Sequence, residues 1–507
     1  TGASNIAIGQ QAMFYNTTGS SNVAIGHVAL GDNTTASNNT AVGYFAMNAN
    51  TTGQYNVAVG KGSISTNTTG EKNVAMGTDA LASNTTASNN TAVGNAALYA
   101  NTTGQENTAV GAHALDNNTT GSYNVAVGNS ALGVNTTGVR NTALGRTCLS
   151  VNTSGSYNVA VGMYSLQSNT TASLNTAVGY SALFSNTGAS NTAVGYQALH
   201  LNSTGIQNVA VGRNTLDANT TGVNNIALGA FAAGGTTTGA ANIAIGTSAL
   251  NQNTTGSTNV AVGQDNLYYS TTASNNTAIG HNAMVANTTG HSNAALGRGA
   301  GGVITTGHNN VCIGYLSGNY AGQGTIVTGM TSTFLGSYSY PTSSSCTNCI
   351  VIGHAVGGAD GYTTIGHGGS DIRAAHGNVT WATVSDERYK KDIVDSEAGL
   401  SLINALRPRT FKYKTLGELP ETFSAYEADS TEVFKNSNTN HGFIAQEVKA
   451  AIDADNSIKD GFRLWDERDD GSQEVAEAAL IPVLVKAIQE QQTLIESLTA
   501  RIAALEE

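Results

Sequence analysis

The sequence predicts a mainly β protein: a parallel β-solenoid of 17-residue repeats, followed by a small α+β unit that ends in a coiled coil. Three observations support this fold class. A phrase of the type NVAVG or NTAVG returns at a fixed spacing through the first 310 residues. Charged residues, only 11% of the chain, are concentrated after residue 385, and the C-terminus carries Ile and Leu at heptad spacing. At 507 residues the chain is too long for one ordinary core, so more than one unit is expected.

The repeat occurs in 19 copies with a period of 17 residues and a single deletion. Its first Asn lies at positions 5, 22, 39, 56, 73, 90, 107, 124, 141, 158 and 175, and then at 191, 208, 225, 242, 259, 276, 293 and 310. Shorter echoes follow at Thr333, Ile350 and Tyr362. One copy is too small to fold alone, so neighbouring copies must stack. At about 4.8 Å per coil, the stack predicts a rod roughly 90 Å long.

One copy shows how each coil is expected to form. In Val57–Val59 two Val residues alternate with an Ala, which predicts a short strand, and because the Ala is also apolar both strand faces are expected to be buried. Gly60 ends the strand. The NTTG phrase at Asn50–Gly53 predicts a turn in which Asn adopts left-handed dihedrals and Gly supplies a positive φ. A second apolar pair, as in Ala114–Leu115, predicts the opposite wall of the coil.

The phrases NVAIG and NTAVG resemble the head repeats of bacterial trimeric autotransporter adhesins over about 310 residues. The resemblance implies a trimeric parallel β-roll, in which each chain is partnered by two further copies of itself. A homotrimer would also explain the doubly apolar strand, because one face would fill the roll while the other met the neighbouring protomers. The handedness of the roll stays open.

Composition excludes several classes of function. Most of the net charge of −12 lies after residue 385 and no basic patch exists, which argues against nucleic acid as a partner. No apolar run approaches the ~20 residues of a membrane helix, so membrane insertion is not expected. Cys148 and Cys312 stand where other repeats carry Ala, which predicts small buried side chains. Cys346 and Cys349 form a lone CxxC without a second ligand pair, so neither a metal site nor a cofactor is predicted.

Residues 385–507 are predicted to form a separate unit. Apolar spacing predicts one helix over Ala398–Leu406, ended by Pro408, and another over Ile444–Ile452, whereas Phe411–Tyr413 alternates as a strand does. From about residue 480 the heptads predict a coiled coil. One of its core positions holds Ile481, Ile488, Ile495 and Ile502, and the other holds Leu484, Gln491, Leu498 and Leu505. These heptads indicate self-association and do not fix the number of strands.

Four blocks of this unit occur in a fixed order: SDERYK from Ser385, then LRPRTFKYK, GFIAQEV and LIPVLVKAIQE. Together they resemble the C-terminal intramolecular chaperone domain of phage tail spikes and fibres, first named for endosialidases. The resemblance implies a domain that trimerises, helps the β-rich shaft before it to fold, and then cuts itself off. The cut would fall at the Val384–Ser385 bond and be carried out by a dyad of Ser385 and Lys390. Asp392 stands where the family more often has Asn.

The dyad makes chemical sense only under certain conditions. A Ser hydroxyl needs a base to take its proton. A Lys is such a base only when neutral, so burial or cationic neighbours, here Arg388 and Lys391, must lower the ordinary lysine pKa of ~10.4. Ser385 and Lys390 would lie ~17 Å apart along a strand and on nearly opposite sides of a helix. A turn, or contact between protomers, must bring them together, and we hypothesise that assembly completes the site.

These resemblances imply a homotrimeric segment of a phage tail fibre, located in the virion. Residues 1–314 would form the shaft, residues 315–384 a distal tip of degenerate repeats, and residues 385–507 the chaperone. The tip would meet a bacterial surface receptor, either a glycan or a protein. The only enzymatic activity expected is a single-turnover Ser–Lys self-cleavage without an external substrate.

Two alternatives remain open. The first is a trimeric adhesin or an ice-binding solenoid on a cell surface, with the Thr rows ordering water. The second is a glycan depolymerase, although the sparsely charged rod offers no paired acids. The NTT triplets also match the glycosylation sequon, but their position favours a turn.

Overall fold

The computed structural model describes residues 2–320, 324–377, 382–383, 387, 390–455, 458, 464–468 and 471–506. The chain separates into two compact units, Thr1–Val384 and Ser385–Glu507. The described part of the first unit consists of short strands and turns, whereas the second contains helices and small antiparallel sheets.

The first unit contains one three-residue strand in each repeat. These strands are β1 (Ile6–Ile8), β2 (Val23–Ile25), β3 (Thr40–Val42), β4 (Val57–Val59), β5 (Val74–Met76), β6 (Thr91–Val93), β7 (Thr108–Val110), β8 (Val125–Val127), β9 (Thr142–Leu144), β10 (Val159–Val161), β11 (Thr176–Val178), β12 (Thr192–Val194), β13 (Val209–Val211), β14 (Ile226–Leu228), β15 (Ile243–Ile245), β16 (Val260–Val262), β17 (Thr277–Ile279), β18 (Ala294–Leu296) and β19 (Val311–Ile313). Each strand pairs in parallel with the next, so that Val57 lies opposite Val74. The 16-residue repeat keeps the register, because Thr176 pairs with Thr192. The predicted parallel solenoid is confirmed.

The solenoid continues beyond the regular repeats. The further strands are β20 (Asn319–Tyr320), β21 (Gly324–Thr325), β22 (Thr333–Leu335), β23 (Tyr340–Pro341), β24 (Ile350–His354), β25 (Gly357–Gly358), β26 (Tyr362–His367), β27 (Ser370–Ala375) and β28 (Ala382–Thr383). β22, β24 and β26 extend the parallel sheet, so the three sequence echoes are coils of the same solenoid. The sheet then ends in the antiparallel strands β27 and β28. β20 pairs with β21 and β23 with β25 in two small sheets outside this main one.

Each coil is filled by small and branched apolar side chains. Ala58, at the centre of β4, is fully buried, and so is the Ala114–Leu115 pair on the opposite wall. Cys148 and Cys312 replace buried Ala residues, and both are fully buried as predicted. Burial raises the pKa of each thiol to about 12, so both stay protonated and unreactive.

Only one face of each strand is buried within the chain, and burial of the second face against neighbouring protomers stays a prediction. Val57 and Val59 flank the buried Ala58 and remain half-exposed. Successive strand residues point to opposite sides, so the Ala face fills the coil and the Val face lies outside it. Burying this second face requires another chain.

The NTTG turn forms, but its dihedrals differ from the prediction. Neither Asn50 nor Gly53 has a positive φ; instead, Asn50 Nδ2 donates to the Gly53 carbonyl at 3.0 Å and closes the turn. Gly53 is needed for space, because a Cβ there would lie 2.2 Å from the Gly70 carbonyl oxygen in the next coil. Positive φ occurs at Gly60, at 136°, and even at the buried Leu115, at 53°. Neighbouring coils hold such corners in place despite their strain.

Two rows of buried Asn side chains run along the solenoid. In the turn row, Asn67 Nδ2 donates to Asn50 Oδ1 of the preceding coil at 2.8 Å. In the strand row, Asn56 donates its backbone N–H to Asn39 Oδ1 and its Nδ2 to the Gly70 carbonyl, both at 2.8 Å. The rows thus supply most of the hydrogen-bond partners that their buried amides need. Their burial also keeps the NTT triplets out of reach of glycosylation in the folded chain, which supports the turn interpretation.

The second unit packs three helices against short sheets. Its elements are α1 (Leu400–Ala405), β29 (Arg409–Phe411), β30 (Asn440–Gly442), α2 (Ala445–Ala454), β31 (Trp465–Glu467), β32 (Gln473–Val475) and α3 (Leu480–Glu506), with 3-10 turns at Leu416–Glu418 and Glu477–Ala479. β29 pairs antiparallel with β30, and β31 with β32. Leu402, Val448, Ile452 and Leu480 lie in one buried core.

The elements predicted for this unit are present. Both helices lie close to their predicted ranges, and the predicted strand is found two residues earlier, at Arg409–Phe411. The predicted C-terminal helix extends over 27 residues. In the part of the chain that the structure describes, no helix combines the length and apolarity needed to cross a membrane.

Candidate functional site

The segment after the predicted cleavage point contains a tight turn. The backbone N–H of Lys390 donates to the Glu387 carbonyl at 2.9 Å, which is the hydrogen bond that closes a tight turn. Both side chains are exposed. Val384, Ser385 and Arg388 lie outside the described residues. The turn is one of the two ways considered for bringing Lys390 towards Ser385, and the dyad itself stays a prediction.

Asp392 adopts a left-handed conformation two residues after Lys390, with a φ of 55°. Among non-glycine residues, Asn and Asp enter this region most readily. The conformation therefore explains why Asp can stand where the resembling family more often has Asn. The left-handed backbone conformation at this position accommodates either Asn or Asp, whatever the charge of the side chain.

An ion pair joins two of the four sequence blocks. Arg409, in the LRPRTFKYK block, donates its Nε to Glu447 Oε2 of the GFIAQEV block at 2.8 Å, and an Nη atom contacts Oε1 of the same carboxylate. Arg407 Nη1 lies 3.7 Å from this carboxylate as well. The hydrogen bonds with Arg409 lower the pKa of Glu447, and the nearby charges add to the effect. A bidentate pair of this type fixes orientation as well as distance.

A second contact joins the first helix of the unit to the last. Glu490 Oε2, on α3, accepts the backbone N–H of Leu400 at 2.7 Å and so caps the start of α1. Gly399 leaves room for this carboxylate, because a Cβ at that position would lie 2.6 Å from the same oxygen. A free N–H at a helix start favours a carboxylate partner. Neither contact was foreseen, since sequence spacing does not show which distant side chains meet.

The heptad residues of α3 lie on an exposed stripe, which we call the seam: Ile481, Leu484, Ile488, Gln491, Ile495, Leu498, Ile502 and Leu505. Ile488 is 63% exposed and Ile495 56%. The opposite side of the first turns is buried through Leu480, Val483 and Ala487, which pack on the core of the unit. The start of α3 therefore belongs to the folded unit, while its seam is exposed to solvent in the single chain.

A similar stripe follows the solenoid. The residue that follows the central inward-facing residue of each main-sheet coil strand is apolar and partly or largely exposed, and we call this set the shaft row: Ile8, Ile25, Val42, Val59, Met76, Val93, Val110, Val127, Leu144, Val161, Val178, Val194, Val211, Leu228, Ile245, Val262, Ile279, Leu296, Ile313, Leu335, Ile352 and Ile365. Leu144 is 39% exposed and Leu296 49%. A soluble monomer rarely exposes an apolar patch of more than a few hundred Å². An unbroken row of this length therefore indicates a contact surface.

The Thr hydroxyls of the turns do not form a flat array that is fully open to solvent. Thr51 Oγ1 donates to the Thr68 carbonyl of the next coil at 3.0 Å, and the first Thr of most NTT triplets makes the same bond. One of the two hydroxyl rows is thus engaged within the protein. This weakens the ice-binding alternative, which needs a regular array of hydroxyls open to water.

Cys346 and Cys349 form a disulfide in the turn before β24, which was not foreseen from the sequence. Asp360 Oδ1 lies 4.0 Å from Cys349 Sγ. Zinc binds thiolates, and the disulfide leaves none at this position. In this state the three residues do not provide a metal site.

The comparisons with known proteins agree with the geometry of the second unit. A protein-family model described as chaperone of endosialidase matches residues 385–456. The match starts at Ser385 and includes the first three sequence blocks. No curated protein and no solved structure matches the chain. A β-solenoid is thus followed, in the same chain, by an intramolecular chaperone domain of the endosialidase type.

Proposed function

We propose that this chain is a segment of a homotrimeric phage tail fibre that attaches to a bacterial surface. In this proposal the C-terminal unit aligns three chains, promotes folding of the shaft and then cuts the Val384–Ser385 bond. The observation that carries the proposal is the pair of exposed apolar rows, the shaft row on one unit and the seam on the other. To bury its exposed apolar row, each unit requires further copies of itself.

The number of chains in the assembly is inferred from the C-terminal unit, because its resemblance to the endosialidase chaperone implies a trimer. Three shafts that share their Val, Ile and Leu rows would remove from water the face that a single chain leaves exposed. The seam would be covered in the same way, by knobs-into-holes packing of three helices. Gln491 would then place one polar layer inside the seam and help to fix its register.

Assembly from the C-terminal end solves a kinetic difficulty. A long solenoid of contacts between chains nucleates slowly, because loop-closure entropy is lost before the contacts form. A clamp that holds three ends together raises their effective concentration to about millimolar or above. Once the shaft has formed the clamp is no longer needed, so its removal is a natural last step.

The proposed cleavage uses the chemistry of two residues. Ser385 Oγ attacks the Val384 carbonyl carbon while Lys390, in its neutral form, takes the hydroxyl proton. The amide bond breaks, its nitrogen receives a proton and becomes the free amine of Ser385, and Val384 is left as an ester. Water then hydrolyses the ester, which leaves a carboxylate on Val384 and restores the Ser385 hydroxyl. Assembly completes this site, so cleavage marks finished folding.

Intact mass and denaturing gels of the purified protein test the proposal. Wild type is expected to give a 384-residue product, and Ser385→Ala and Lys390→Ala are expected to stay full-length. Native mass spectrometry of the same samples should show three chains in each case. Full-length chains in all three samples would remove the cleavage step, and a stable monomer would remove the homotrimer.

A further inference from the structure

An aromatic surface lies near the end of the solenoid, and we call it the aromatic platform. Its members are Arg298, Tyr315, Tyr320, Tyr338, Tyr340, His354 and His367. The Tyr338 ring centre lies 5.1 Å from Tyr315, 4.9 Å from Tyr320 and 5.8 Å from His354. Tyr320 is followed by Tyr340 at 5.5 Å, and His354 by a stacked His367 at 5.0 Å. The rings thus form one connected surface, in a chain with only 6% aromatic residues.

Backbone hydrogen bonds and close packing hold the platform residues in place. Tyr315, His354 and His367 each follow the glycine that ends a coil strand, so they stand in one row; Ser337 occupies the same place on the coil between Tyr315 and His354. The backbone N–H of Tyr338 donates to the Tyr315 carbonyl at 2.9 Å. Tyr340 packs against Gly357, where a Cβ would lie 2.8 Å from a ring carbon. Groups fixed by backbone bonds and close packing are already positioned for a ligand.

The chemistry of the platform differs from that of the shaft row. The shaft row contains only aliphatic side chains and Met, whereas the platform offers ring faces edged by hydroxyl and imidazole groups. Partial burial and a hydrogen bond with Tyr315 raise the pKa of Tyr338, so its hydroxyl stays protonated and can donate. Arg298 lies over Tyr315, with Cζ 5.8 Å from the ring centre, and adds donors at one end. Such amphipathic rings suit a ligand that is itself apolar on its faces and polar at its rim.

We propose that the aromatic platform binds an oligosaccharide. The C–H faces of successive pyranose rings would stack on Tyr315, Tyr338 and His354, and the sugar hydroxyls would bond to the tyrosine hydroxyls and Arg298. Four coils spaced by about 4.8 Å give the row a length of about 14 Å, which suits an extended chain of sugars better than a single one. This inference rests on the proposed function and names the chemical class of the surface receptor.

The experiment uses the full-length protein and an immobilised panel of neutral and N-acetylated hexose trimers and tetramers. Wild type should bind members of the panel, and Tyr315→Ala should weaken that binding about tenfold through loss of one stacking ring. Ala is compatible with the fold at this position, because Ala112 and Ala230 occupy it in other coils. Tyr315→Phe keeps the ring and should retain most of the affinity. The matched control is Tyr180→Ala, which removes one ring of a stacked pair, Tyr180–Tyr196 at 5.4 Å, from the shaft.

The outcomes separate this inference from the proposed function. A panel without any bound member, or equal binding by wild type and Tyr315→Ala, would overturn the platform while the cleavage and native-mass results stand. Equal losses in Tyr315→Ala and Tyr180→Ala would place binding elsewhere and overturn it too. If Tyr315→Ala instead lowers the melting temperature of the trimer and leaves sugar binding unchanged, the platform is a contact between copies and the inference is wrong.

Discussion

The buried Asn side chains of the turn row have a structural role, and one of them makes three hydrogen bonds. Asn118 Nδ2 donates to Asn101 Oδ1 and to the Gly121 carbonyl, both at 2.9 Å, while its Oδ1 accepts from Asn135 Nδ2 at 2.8 Å. The row is therefore continuous over the coils from Asn16 to Asn169. The sequence showed that Asn recurs and lies in a turn, but only the stacking of coils shows that the amides meet.

Replacing one member of the row should be costly. Asn118→Ala leaves Asn101 Oδ1 buried without its partner, at a cost of about 1–3 kcal/mol. It also removes one of two hydrogen bonds from the Gly121 carbonyl and one of two from Asn135 Nδ2, at about 1 kcal/mol each. We expect a loss of about 3 kcal/mol or more in the free energy of unfolding of the solenoid, measured by denaturant titration. Asn117→Ala, at the exposed neighbouring position, should stay within about 0.5 kcal/mol of wild type. Equal effects of the two changes would show that the row does not stabilise the fold.

The Arg409–Glu447 pair predicts a response to acid. The folded state lowers the pKa of Glu447, so the pair stabilises the second unit above the ordinary Glu pKa of about 4.3. This contribution is lost as the pH falls through the lowered pKa of the folded state. Thermal melting between pH 7 and pH 3 should therefore show a steeper decline in wild type than in Glu447→Gln. Parallel melting profiles would show that the ion pair has no stabilising effect.

At the scale of elements, the success of the sequence prediction depends on whether an element is defined by local pattern. β4 was predicted because Val57–Val59 alternates, and α3 because its sequence repeats over four heptads. The disulfide of Cys346, the cap that Glu490 places on α1 and the platform around Tyr338 were missed, since each joins residues whose nearness is set by the fold. The second face predicted to be buried in β4 is open in a single chain, so its burial against neighbouring protomers stays a prediction.

The seam of α3 gives a sharp test at this scale. Ile495 is 56% exposed and lies at a heptad core position, so Ile495→Asp would place three carboxylates together inside the assembled coil. We expect loss of self-association, seen as a monomer by light scattering. Ala500→Asp introduces the same charge on the outer side of the helix and should stay assembled. Assembly of both variants would show that the seam does not hold the chains together.

At the scale of the whole molecule, two surfaces of different origin are both open to further copies of the chain. The shaft row comes from a 17-residue repeat and the seam from a heptad, yet both leave Ile, Leu and Val exposed in one chain. A repeat protein gains stability from each interface between neighbouring repeats. In the proposed assembly, the long shaft row therefore stabilises the assembled shaft, while the seam initiates assembly. The sequence alone shows that both surfaces are apolar, whereas the structure shows that they are open in a single chain, because burial against another copy and burial within the chain favour the same residues.

The shaft row can be tested independently of the seam. Leu144→Asp places an unpaired charge in a surface that becomes buried on assembly, with a cost of roughly 3 kcal/mol or more. The assembled shaft should melt at a lower temperature than wild type. Thr137→Asp lies in the exposed turn of the same coil and should leave the melting temperature nearly unchanged. A Leu144→Asp protein as stable as the control would mean that the row faces solvent in the assembled protein.

The link between assembly and cleavage is the most demanding prediction. Ile495→Asp keeps Ser385, Lys390 and the turn between Glu387 and Lys390, but lacks the contact between chains that is proposed to complete the site. It should therefore remain full-length under conditions in which wild type and Ala500→Asp yield the 384-residue product. The measurement is a time course of intact mass at low protein concentration, with light scattering of each sample to confirm its assembly state. If monomeric Ile495→Asp cut itself at the wild-type rate, the turn alone would be sufficient and cleavage would no longer report a finished trimer.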